Sequence, residues 1–96
     1  NADVKLYANF TVGSGSQYVL TRMPSENLAY IFNEYNATPS ESQIDFRTLN
    51  ASTNECRILF SVVNLYLSSS GGSGAPVGFA AYNESSLAQK WYVTPV

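Results

Sequence analysis

Apolar side chains recur at every second position through most of this chain, and that period of two leaves little room for helix. In VKLYANFTV (4–12), Val4, Leu6, Ala8, Phe10 and Val12 share one face, with Lys5, Asn9 and Thr11 opposite. Gly13, Ser14 and Gly15 break the run, and SQYVLTR (16–22) resumes it until Pro24. LAYIFNEY (28–35) is apolar on both faces at its start, as a central strand would be. Ser25 could cap a short helix there, but three aromatics and the β-branched Ile31 favour strand. QIDFRTL (43–49) sets Ile44, Phe46 and Thr48 against Asp45 and Arg47. CRILFSVVNLYL (56–67) is the most apolar run and reads as two strands, or one bent strand, with the break at Asn64. VGFAAY (77–82) and KWYVTPV (90–96) complete the set.

Between these runs lie NATPSES (36–42), NASTNE (50–55), SSSGGSGAP (68–76) and NESS (83–86), all rich in turn formers. The pattern predicts about eight short antiparallel strands in an all-β barrel or sandwich, with a trefoil-related arrangement as one form of it. The chain's 96 residues suit a single domain spanning 1–96. The Ser/Gly-rich stretch 68–76 reads as a flexible loop inside that domain, because the 20 residues after it form strands that need partners.

Charge is sparse, with five Lys or Arg against seven Asp or Glu, and the basic residues are scattered singly. Nucleic acid is therefore not an expected partner, since no basic stripe exists to displace counterions. No apolar run approaches the roughly 20 residues that a membrane-spanning helix needs, so membrane insertion is not expected either. The polarity comes from Ser, Thr and Asn, as on many extracellular proteins, and the chain opens at Asn1 without Met. A secreted or extracellular setting is the expectation, whether the leader has been removed or the chain is a fragment. Asn9, Asn36, Asn50 and Asn83 each begin an Asn-x-Ser/Thr triplet. Asn50 and Asn83 lie in loop-like sequence and are the better glycosylation acceptors. Cys56 has no cysteine partner in the chain and, among apolar neighbours, reads as a buried strand thiol.

Chemistry is hard to place. The chain has no His, which removes the Ser-His-Asp and Cys-His nucleophiles and the common zinc sites. Gly71, Gly72 and Gly74 precede a strand, not a helix, and make a poor phosphate cradle. Glu26, Glu34, Glu41, Asp45, Glu55 and Glu84 could in principle pair for glycoside hydrolysis, but most sit in turns. No catalytic residue, metal or cofactor is expected. Aromatics remain, with seven Tyr, five Phe and Trp91. Tyrosine stacks on sugar C–H faces and also leads at protein interfaces.

Residues 64–96, NLYLSSSGGSGAPVGFAAYNESSLAQKWYVTPV, resemble one repeat of the ricin-B-like β-trefoil lectins. Leu65-Tyr66-Leu67 stands at the first strand, residues 77–82 at the second, and Gln89-Lys90-Trp91 at the Gln-x-Trp signature. The resemblance implies that Trp91 packs in the core and that Gln89 braces a backbone turn, both as scaffold. The family's sugar-binding Asp after the first strand is absent, with Ser68 and Ser69 in its place. Tyr66, Tyr82 and Asn83 are then the candidate ligand contacts. The expected function is a non-catalytic binding module, glycan first. The alternative is an extracellular structural or interaction protein, such as a cell-wall, effector or pilin-like subunit, assembling with another protein or its own copies through edge strands. A small protease inhibitor ranks third.

Overall fold

The computed structural model describes residues 5–12, 16–71 and 74–93, and the protein is all-β. Among the described residues, eight strands form one antiparallel sheet: β1 (Tyr7–Val12), β2 (Ser16–Met23), β3 (Leu28–Asn33), β4 (Ile44–Asn50), β5 (Glu55–Phe60), β6 (Leu65–Ser69), β7 (Val77–Ala80) and β8 (Trp91–Tyr92). The strand order is β1-β2-β3-β7-β6-β5-β4, with β8 beside β5. Two meanders, β1–β3 and β4–β7, thus meet at a β3–β7 seam. Short 3-10 turns precede β4 (Pro39–Glu41) and β8 (Leu87–Gln89).

Three of the hairpin turns share one device. Residues 24–27, 51–54 and 61–64 each make a four-residue reversal that ends in Asn at positive φ: Asn27 (55°), Asn54 (62°) and Asn64 (57°). Asn tolerates this left-handed backbone better than other residues bearing a Cβ, because its short amide can bond locally. In two of the turns the Asn N–H reaches back to the residue before the turn, Asn27 to Met23 O (2.8 Å) and Asn64 to Phe60 O (2.9 Å). The 56–67 run is therefore two strands, and its break is the whole turn rather than Asn64 alone. The N-terminal strand starts at Tyr7 instead of residue 4, and β6 extends through Ser68 and Ser69 into the Ser/Gly-rich stretch. Of the expected final strand 90–96, Trp91–Tyr92 is strand and Lys90 and Val93 are not, and residues 94–96 lie outside the described residues.

The core lies on one face of the second meander. Ile44, Cys56, Ile58, Phe60, Leu67 and Phe79 form a buried cluster, with Leu20, Ala29, Phe46 and Trp91 packed against it. Phe60 and Phe79 meet edge to face at 4.7 Å. Cys56 belongs to this cluster, and burial, then the charge of Glu55, pushes its thiol pKa up. The connection before β4 ties the first meander to the second through β2. Thr21 Oγ1 donates to Glu41 O (3.2 Å), and Arg22 pairs with Glu41 at 3.1 Å. This curls β2 toward the start of β4.

The seam between the meanders is short for identifiable reasons. Leu28 opposite Gly78 is its single register pair. A Cβ on Gly78 would lie 3.2 Å from Asn27 O, so glycine lets β3 approach β7. Continuing that register would bring Tyr30 opposite Pro76, which has no N–H to donate. At the other end the Asn27 side chain replaces a ladder bond, its Nδ2 donating to Phe79 O at 3.1 Å. Beyond Leu28 the strands part over an apolar groove of about 440 Å³ lined by Leu20, Ile31, Leu67, Val77 and Trp91 among others.

Candidate functional site

β5 has β4 along one side, so β6 and β8 share the other. β6 pairs with Leu59 and Phe60 and then leaves, and β8 takes its place beside Glu55 and Cys56. Leu67 lies one residue past the last β5–β6 pair, and its carbonyl accepts the Trp91 Nε1–H at 3.0 Å. The indole ring, opposite Cys56, packs on the core at this divergence. Trp91 is thus a scaffold side chain with a partnered polar end.

Gln89 is 1% exposed, and both ends of its amide are occupied. Its Nε2 donates to Ala81 O (2.7 Å), and its Oε1 accepts the Asn83 N–H (3.1 Å). Arg57, on the face of β5 opposite Cys56, is 6% exposed. Its Nη2 donates to Glu84 O (3.0 Å), and its guanidinium lies 5.0 Å from the centroid of the Tyr82 ring. Each of residues 81–84 is therefore held by a buried polar side chain from elsewhere in the fold: Ala81 and Asn83 by Gln89, Tyr82 and Glu84 by Arg57. These four residues are themselves exposed, Tyr82 at 56%.

The three ligand candidates from the sequence fall together. Tyr66 and Tyr82 have ring centroids 5.7 Å apart at a 55° tilt. Asn83 follows directly, and its Oδ1 accepts the backbone N–H (3.1 Å) and Oγ–H (3.0 Å) of Ser85. This Asx-type turn engages the amide oxygen and leaves Nδ2 to the surface. Asn50, the other glycosylation candidate, makes the same turn with the Ser52 N–H (3.0 Å) and is exposed. Asn36 is also exposed, and the side chain of Asn9 lies outside the described residues.

Sequence reasoning missed Arg57 and Asp45. The alternation of QIDFRTL suggests an outward Asp45, yet it is 6% exposed on β4, with its Oδ2 accepting Arg47 Nε at 2.9 Å. The burial of Arg57 follows from its contacts with Tyr82 and Glu84, which are distant in sequence. The other carboxylates are dispersed. Glu26 accepts the Tyr30 hydroxyl (2.6 Å) and Glu34 the Tyr7 hydroxyl (3.1 Å), which raises both phenol pKa values. Among the described residues, no three His, Cys, Asp or Glu side chains gather as a metal site would need, and no helix is long and apolar enough to cross a membrane.

Compared with protein-family models, curated proteins and solved structures, the chain matches none.

Proposed function

We propose that the protein is a non-catalytic binding module, that its ligand is a carbohydrate, and that Tyr66, Tyr82 and Asn83 meet it. The observation that carries this reading is the anchoring of residues 81–84 by Gln89 and Arg57. An exposed surface turn needs no such support to close the chain. Holding it with two buried polar side chains makes sense where the exposed groups must wait in a fixed geometry, since preorganisation lowers the ordering cost of binding. The groups so held are an aromatic ring suited to a sugar's C–H face and an amide Nδ2 suited to a hydroxyl oxygen. A secreted setting goes with this reading, and Asn50 is its glycan acceptor, because an N-linked glycan on Asn83 would cover the site.

The test is a broad glycan array probed with the wild type and with a Tyr82→Ala, Asn83→Ala variant. Selective binding that the variant loses is expected. A blank array from folded wild-type protein contradicts the proposal.

A protein partner is the second reading, favoured by Ile31, 51% exposed beside the open part of the β3–β7 seam. Solution mass decides it: a stable assembly that Ile31→Lys dissolves supports it, and a monomer at high concentration speaks for the binding module. Cys56 offers no ready bridge for such an assembly, since it is buried in the core.

A further inference from the structure

Arg57 Nε and Asp45 Oδ1 are both buried, and neither has a hydrogen-bond partner among the described residues. A buried polar group left this way keeps the full cost of losing water, about 1–3 kcal/mol and more when it is charged, so each such atom asks for an explanation. The two atoms belong to one place. Arg47 lies opposite Arg57, and Asp45 opposite Leu59, so all four residues share a face of β4 and β5. Asp45 and Arg57 are then diagonal neighbours, about 7–8 Å apart along the sheet and within reach of each other's side chains. Leu59 in turn lies opposite Tyr66, and the Tyr82 ring covers the Arg57 guanidinium. Arg57 thus lies beneath the Tyr82 ring, and Asp45 shares its sheet face in the same cross-strand row as Leu59 and Tyr66.

A lone donor beside a lone acceptor calls for a group that can both accept and donate. A hydroxyl does so through a single oxygen. A carboxylate would satisfy Arg57 and be repelled by Asp45, and an ammonium would do the reverse. We propose that Asp45 and Arg57 form the polar floor of the Tyr66–Tyr82 site and take a hydroxyl of a neutral sugar. Arg57 Nε–H donates to the hydroxyl oxygen, and the hydroxyl donates to Asp45 Oδ1. Arg47 holds the other carboxylate oxygen, and the Tyr82 ring, kept in place by the Arg57 guanidinium, is the wall on which the sugar stacks. This rests on the carbohydrate reading and narrows it to uncharged sugars.

The experiment is a set of titrations with the methyl glycosides of glucose, galactose, mannose and N-acetylglucosamine and their monodeoxy analogues. Wild type, Asp45→Asn and Tyr82→Ala are compared. One deoxy position is expected to weaken binding to the wild type about tenfold or more, the scale of a charge-assisted hydrogen bond. Asp45→Asn weakens the parent glycoside by a similar factor, and the deoxy analogue then binds wild type and variant within about threefold, as coupled partners do. If every deoxy position costs the same in both proteins while Tyr82→Ala still abolishes binding, the polar floor is overturned and the aromatic site stands. If folded wild type binds none of the glycosides, the carbohydrate reading falls and takes the floor with it. Should Asp45→Asn not fold, Arg57→Lys, which keeps the charge and removes Nε, enters the same cycle under the same criteria.

Discussion

The turns at 24–27 and 61–64 and the segment 81–84 all reverse or redirect the chain at the surface, but they are held differently. The two turns close on themselves: an Asn in the left-handed region returns its own N–H to the residue before the turn. Segment 81–84 is held from outside, by Gln89 on the later 3-10 turn and Arg57 on β5, the latter 27 residues before Glu84. Local closure fixes strand register and nothing more. Non-local bracing fixes exposed side chains relative to the core, and it is beside that bracing that Tyr66, Tyr82 and Asn83 assemble.

Substitutions should separate the two modes. Gln89→Ala is expected to act most strongly, destabilising the fold by about 3 kcal/mol in urea titration, because it leaves Ala81 O and Asn83 N–H unpaired and opens a cavity. Arg57→Met, which keeps the packing of the stem, should cost about 2 kcal/mol through the lost bond to Glu84 O and the lost contact with Tyr82. Trp91→Phe keeps most of the ring but removes the donor to Leu67 O, and about 1 kcal/mol is expected in the same assay. Asn64→Gly should fall within about 0.5 kcal/mol of the wild type, whereas Asn64→Ala should lose about 1 kcal/mol, since alanine carries a Cβ into positive φ without the amide's local bonds. Only the first two should alter ligand binding. A binding defect in Asn64→Gly would erase the distinction between the two regions.

Legibility in the sequence follows the same division. The period of two and the Asn, Gly and Pro clusters are local signals, and they lead to an all-β fold with about eight strands. Local signals also set the errors at strand ends, where Ser68 and Ser69 read as loop but pair with Gly78 and Val77. The breaks at Pro24, in NASTNE and at Asn64 are open to view, but the Asn that closes each of PSEN, ASTN and SVVN at positive φ is not, because a four-residue turn without Gly gives a weak signal. The scaffold roles of Gln89 and Trp91 enter through the resemblance to a lectin repeat; spacing alone does not reveal them. Arg57 and Asp45 are not legible at all. Arg57 meets Tyr82 and Glu84 on a sheet face that alternation alone marks as solvent-facing, and no window of neighbouring residues contains that fact.

The most direct test of the central claim is amide hydrogen exchange at Asn83, read beside Asn64 in the same spectra. If segment 81–84 is braced by Gln89, the Asn83 amide is protected in the wild type despite its exposed position. That protection falls by about a hundredfold in Gln89→Ala, while Asn64 changes only as far as global stability does. An Asn83 amide that already exchanges at the rate of an unstructured peptide in the wild type would contradict the account, because the site would then have no fixed geometry to offer a ligand.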